Sequence, residues 1–319
     1  MRLATFSQNG TPRAAVVVGD ELHPLPDGVT VLDLIEQDRL PEAGARHERP
    51  IPLDSVRLLP PLQPMAIRDF ITFEEHVEGI AGGFGDEVAP EWYQAPAFYF
   101  TNPHALLGAH DDVPIPPGCQ AFDFELEVAA VVGRAGHDLT PDQARDHIIG
   151  YTILNDWSAR DLQAREMRVK LGPAKGKDSA TTLGPWLVTT DELEDRRNAD
   201  GFLDLSMTVT RNGGQIGQDT LANMAWTFEE MLAYASRGTW VRPGDVLGSG
   251  TCGSGCLAEL WGRRGRQDPP PLQPGDVITM TVDGLGAITN TVVPGPPPTA
   301  IPRARSRRHS GASCSIHRG

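Results

Sequence analysis

The clearest pattern along the chain is Phe122-Asp123-Phe124-Glu125-Leu126-Glu127-Val128, where apolar and acidic residues alternate before the unbroken run Val128–Val132. A period of two predicts a β-strand over Phe122–Val132, with Asp123, Glu125 and Glu127 on one face and Phe124, Leu126 and Val128 on the other. The apolar continuation predicts a central strand covered on both faces. Short apolar runs at Leu3–Ser7, Ala14–Val18 and Val56–Leu59, broken by Gly and Pro, predict a small β-rich N-terminal domain over residues 1–62. It ends in the stiff Pro60-Pro61-Leu62-Gln63-Pro64, which continues neither strand nor helix. Farther on, Asp204–Arg211 runs into Asn212-Gly213-Gly214, the signature of a strand and hairpin turn. Val277–Val282 and Ala287–Val293 read as strands joined by a turn at Asp283-Gly284. Apolar residues at threes and fours predict a helix over Thr220–Ser236. Strands dominate and do not alternate regularly with helices, so the expected class is α+β, mostly β, with the main body over residues 65–293. Beyond Val293 a Pro-rich stretch opens a tail, 294–319, that carries Arg303, Arg305, Arg307, Arg308 and Arg318 and no acid. That composition predicts disorder.

Charge narrows the function. With 28 basic against 42 acidic residues the net charge is -14, which repels phosphate backbones and argues against a nucleic-acid partner. The longest aliphatic runs fall far short of the roughly 20 apolar residues of a membrane span. Met1–Gly10 has no apolar leader, so the expectation is a cytoplasmic protein without a membrane partner. Four cysteines make no disulfide framework. Cys252 and Cys256 are close in sequence, but no second Cys or His pair lies nearby to complete a zinc site, and they read as small reduced residues in a Gly-rich loop.

The candidate chemistry lies in five segments. Along a strand, Glu125 and Glu127 stand ~7 Å apart at the backbone. Buried together they repel, and a hard divalent cation resolves the conflict; a solvated face on an edge strand is the alternative. Asn155-Asp156-Trp157-Ser158-Ala159-Arg160-Asp161-Leu162-Gln163 follows the apolar Ile148–Leu154 and reads as a strand passing into a helix. Asp156, Arg160 and Gln163 then share one helical face, as catalytic groups or as an ordinary surface pair. Lys170–Lys177 is rich in Gly and Lys, but Lys177 is followed by Asp178, so no phosphate loop forms. Gly248–Cys256 is glycine-rich, which permits close approach to a ligand or simply makes turns. Arg68–His76 contains an isolated His that composition does not single out from His104, His110, His137 or His147.

Taken in order, Asp69…His76, Asp123-x-Glu125-x-Glu127, Asn155–Gln163, Leu171-Gly172-Pro173…Gly176-Lys177 and Gly250-Thr251…Glu259-Leu260 resemble the fumarylacetoacetate hydrolase family over residues 65–293. The resemblance implies a mixed β-sandwich roll, a homodimer, and a small β domain in front. It implies that Glu125, Glu127, Asp156 and Asp69 hold a divalent metal, Mg2+ first and Mn2+ or Ca2+ as substitutes. His76 matches a general base and Glu259 the carboxylate that orients it. Arg160 and Lys177 match groups that stabilise negative charge, and Gln163, Tyr99 and Thr251 match substrate contacts. The implied reaction is hydrolysis of a C–C bond in a β-diketo acid or acylpyruvate, of the kind met in aromatic catabolism. The same metal site serves 2-oxo acid decarboxylation, isomerisation or hydration in other members, and a non-enzymatic small-molecule binder is the remote alternative. Two departures leave the substrate open. His76 is followed by Val77–Gly85 with no Arg, and Met167 stands where the fumarylacetoacetate-cleaving members carry a substrate-binding Tyr.

Overall fold

The strand Leu126–Val132 is buried at every residue and lies within a 12-stranded sheet. The computed structural model describes residues 1–44, 49–82 and 87–305. Across the sheet the order runs Ile51–Pro52, Glu21–Pro24, Thr11–Val18, Arg2–Gln8, Thr181–Thr189, Ile148–Asp156, Leu126–Val132, Val246–Gly248, Ile67–Phe70 and Phe98–Thr101. Arg57–Leu59 and Leu106–Leu107 add short pairings at its side. The N-terminal strands therefore extend the sheet that carries the central acidic strand, through Arg2 opposite Val188 and Leu3 opposite Leu187.

Both faces are covered, as a continuous apolar run requires. Val128, Ala130 and Val132 pack into one core with Met207, Val209, Ile278, Met280 and Ile288 of a five-stranded second sheet. Ala129 and Val131 point the other way, into a core with Leu3, Leu187 and the helix residues Val31, Leu34 and Ile35. The fold is thus mostly β, with two sheets packed face to face and a few short helices.

Several boundaries differ from the pattern. Phe122–Val132 is not one strand: Phe122–Asp123 pairs with Ser158–Ala159, and the main strand restarts at Leu126. Local bonds cause the break, because Asp123 accepts from its neighbour Phe124 N–H and Asn155 Oδ1 accepts from Glu125 N–H. Thr220–Ser236 is not one helix either. Thr220 closes the strand Gly214–Thr220, and the helix spans Phe228–Ala235. Thr227 and Glu230 form a reciprocal capping box that starts it, a Thr-x-x-Glu signal that fixes a helix start more sharply than apolar spacing. The hairpin at Asn212-Gly213 is as expected, with both residues at positive φ. Pro294–Arg305 is irregular and mostly exposed. The disorder expected for residues 306–319, Cys314 included, falls outside the described residues. No helix among the described residues is long and apolar enough to cross a membrane.

Candidate active site

Strand pairing brings the acidic residues to one end of the sheet. Glu127 is the second residue of the central strand, Asp156 ends its neighbour Ile148–Asp156, and Asp69 lies opposite Gly248 in a parallel pairing. Asp156 is therefore a strand residue and not the first residue of a helical face; the helix begins only at Arg160 and runs to Met167. The backbone turn at Trp157–Ala159 still brings both groups to the site.

Carboxylate oxygens of Asp69, Glu125 and Glu127 lie within 4.8 Å of one another. Tyr99 donates to Asp69 at 2.8 Å and also to Asp156. Lys177 Nζ pairs with Glu125 and, at 2.8 Å, with Asp156. Arg160 bridges Asp123 at 2.8 Å and Glu125 at 2.7 Å, and donates to Gln163 Oε1 at 3.2 Å. Asp123 is taken up by this bridge and by the N–H groups of Leu257 and Ala258, which it caps. Thr251 is buried in the Gly-rich loop. All five acids and Lys177 are buried and Arg160 is part-buried, so negative charge is in excess.

Burial decides how these groups ionise. It pushes Glu127 well above the usual carboxylate range, and the neighbouring Asp69 and Glu125 push the same way. Asp156 is raised well above its ordinary value by burial, against the pull of Lys177. Asp69 is raised by burial as well. Glu125 goes the other way: burial opposes ionisation, but Lys177 and Arg160 together hold it below the usual range. Three carboxylate oxygens, Asp69 Oδ1, Glu127 Oε1 and Asp156 Oδ1, are buried and face no N–H or hydroxyl donor. A Cβ placed at Gly248 would come within 2.6 Å of Asp69 Oδ1 and 2.9 Å of Glu127 Oε2. Orphaned oxygens in an all-oxygen donor set, with glycine keeping the space beside them clear, fit a hard divalent cation.

A second group adjoins the first. His76, on the helix Glu74–Gly82, places Nδ1 3.3 Å from Glu259 Oε2 on the helix Leu257–Arg264. These helices pack closely because Gly79 has no side chain; a Cβ there would meet Glu259 Cγ at 2.3 Å. Ser254 N–H donates to both Glu259 oxygens at 2.9 Å, and Arg263 pairs with Oε1 at 2.5 Å. Cys256 Sγ lies 3.8 Å from His76 Nδ1. The structure thus distinguishes His76 from the other histidines by a partner 183 residues away in sequence. Sequence reasoning missed Asn155, Arg263 and Cys256. Arg263 carried a signal, being four residues after Glu259 on a helix.

Residues 66–293 match the sequence profile of the fumarylacetoacetate (FAA) hydrolase C-terminal family, and residues 1–61 match the family described as Rv2993c-like, N-terminal. Fumarylacetoacetase of Arabidopsis thaliana is 31% identical over 303 residues, covering 73% of this chain and 71% of that protein. Oxaloacetate tautomerase fahd2 of Xenopus laevis is 34% identical over 190 residues, covering 59% of this chain and 55% of its own. The fumarylacetoacetate hydrolase structure from Exiguobacterium antarcticum superposes with a TM-score of 0.74 at 26% identity, over 92% of this chain and 99% of that one. A profile match across the whole acidic sheet end and the His76–Glu259 helices, and a relative sharing most of its length, establish that this chain belongs to the fumarylacetoacetate hydrolase family.

Proposed function

We propose that this chain is a divalent-metal-dependent enzyme that hydrolyses a C–C bond in a β-diketo acid or acylpyruvate. The observation that carries the reading is the buried His76–Glu259 pair beside an oxygen-only cluster with three unpartnered carboxylate oxygens. Asp69, Glu125, Glu127 and Asp156 would hold the cation, Mg2+ before Mn2+ or Ca2+, which when bound supplies Lewis-acid polarisation of the substrate carbonyl. His76 donates Nδ1–H to Glu259, which leaves Nε2 with the lone pair that takes a proton from water as the water oxygen bonds to the substrate's carbonyl carbon. As the C–C bond breaks, its electron pair passes to the departing carbon as an enolate. The Lys177 ammonium and Arg160 guanidinium face that charge, and Gln163, Tyr99 and Thr251 orient the substrate. The enolate then takes a proton, giving a carboxylic acid and a ketone or 2-oxo acid.

His76→Ala should lower kcat by roughly 10²–10⁴-fold, the usual worth of a general base, with Mg2+ affinity unchanged. Undiminished acylpyruvate cleavage would refute the assignment. A second reading, tautomerisation of a 2-oxo acid, draws support from the Xenopus relative's name and from the absence of an Arg just after His76. Labelled water separates the two, because only hydrolysis places solvent oxygen in a new carboxylate. The proposal extends to a cytoplasmic homodimer and to division of the chain at 1–62, 65–293 and 294–319; sedimentation and limited proteolysis test the dimer and the boundaries.

A further inference from the structure

His76, Cys256 and Glu259 meet in a way that general-base chemistry does not require. Their donor atoms lie within 4.8 Å of one another, and all three side chains are buried. His76 Nδ1 is 3.3 Å from Glu259 Oε2 and 3.8 Å from Cys256 Sγ. Around a tetrahedral Zn2+ with ordinary bond lengths, N and O ligands stand about 3.3 Å apart and N and S ligands about 3.6 Å. The observed separations already match those edges. The carboxylate is aimed as well, since Arg263 and Ser254 hold Glu259 so that Oε2 faces His76. Cys256 Sγ accepts the Glu259 N–H at 3.4 Å, a contact that favours a thiolate at this position.

We propose that His76, Cys256 and Glu259 form a second metal site, for Zn2+ or a similarly borderline-soft ion, distinct from the oxygen-only cluster. One nitrogen, one sulfur and one carboxylate oxygen select zinc over magnesium, and three protein ligands leave a fourth position for water. Binding releases the Cys256 thiol proton to solvent. Burial, with Asp123, otherwise keeps that proton on, but a coordinated thiol gives it up. Zinc on Nδ1 also displaces the proton that Nδ1 shares with Glu259. Neutral imidazole carries one N–H, so the proton must then sit on Nε2. The lone pair needed to activate water is lost, and zinc silences the base without touching the oxygen-only cluster. The site stands on geometry alone; only the inhibition rests on the proposed hydrolase reading.

The test uses the full chain saturated with Mg2+ and titrated with Co2+ and, separately, Zn2+. Expected are one further Co2+ or Zn2+ per chain and a thiolate-to-cobalt charge-transfer band. The band should vanish in Cys256→Ala, fade in His76→Gln and persist in Cys252→Ala. Acylpyruvate turnover should fall with zinc in the wild type and need at least tenfold more zinc in Cys256→Ala. Near-ultraviolet circular dichroism of each variant reports folding. A missing band, or one that survives in folded Cys256→Ala, overturns the site. A band present in a protein with no hydrolase turnover would refute the functional reading and leave the site standing.

Discussion

Gly248→Ala is a small change with a calculable effect on the carboxylate cluster. Gly248 lies in a strand between Leu126–Val132 and Ile67–Phe70, and its backbone is not left-handed, so alanine costs nothing in conformation. Its Cβ would stand 2.6 Å from Asp69 Oδ1, where ordinary contact begins at 3.4 Å, so that oxygen must withdraw by about 0.8 Å. Glu127 Oε2, at 2.9 Å, must shift too. Metal–ligand distances tolerate only ~0.2 Å, so Mn2+ or Mg2+ affinity should fall at least as far as it does when a ligand's supporting partner is lost, roughly 10–100-fold. At a metal concentration 100 times the wild-type Kd, binding adds ~2.7 kcal/mol to stability, and a 100-fold weaker site adds only ~0.4. The metal-induced rise in Tm should therefore shrink by roughly 3 °C. Isothermal titration with Mn2+ gives the affinity, and melting with and without Mn2+ gives the linked stability. Wild-type Mn2+ affinity in a Gly248→Ala protein would refute the placement of the cation against Asp69 and Glu127.

Other expectations follow from neighbouring contacts. Asp123→Ala removes one of the two acidic partners of Arg160 and the acceptor of two N–H groups; it should cost about 1–3 kcal/mol in urea unfolding, whereas Asp123→Asn, which keeps an acceptor, should cost less. Arg263→Met removes the ion pair on Glu259 Oε1 and leaves only Ser254 N–H there; it should lower kcat by up to ~10²-fold with KM little changed, with partial recovery in Arg263→Lys; a raised KM with kcat unchanged would point to substrate contact instead. Stability of metal-stripped protein should depend on pH through Glu127 and Asp156. Their folded values are raised, so the native state holds protons that the unfolded chain has released, and stability falls as pH rises above the ordinary carboxylate value of 4.5 for Glu or 3.8 for Asp. Saturating Mg2+ should flatten that slope, as chemical denaturation at a series of pH values would register; a stripped protein that gains stability between pH 5 and 8 would contradict it.

How far the sequence is legible depends on the kind of interaction that fixes each feature. Alternation exposed Glu125 and Glu127, because both the acidic face and the apolar run belong to one strand. It overran the break at Phe124-Glu125, where Asp123 and the Asn155 side chain capture N–H groups that the strand would otherwise use. The motif marks Asp156, but its i, i+4 spacing with Arg160 looks helical even though Asp156 ends a strand. Nothing local marks Gly248 as the residue that clears space for the carboxylates, because that role exists only once Ile67–Phe70 pairs beside it. Cys256 likewise gains its partner from a helix 180 residues earlier, and no spacing rule spans that separation.

The pairing of Arg2–Gln8 with Thr181–Thr189 makes the first strands of the chain a guard for the sheet. Take them away and Thr181–Thr189, nine residues long and almost wholly buried, would lose its pairing at Leu187 and Val188 and show unpaired N–H and C=O groups there. Such an edge templates the addition of further chains. A version trimmed to the main body would then meet trouble first in the test tube as self-association, well before any change in how it handles substrate. The leading segment, which supplies none of the acids at the cluster, would in that sense govern whether the protein stays in solution long enough to act.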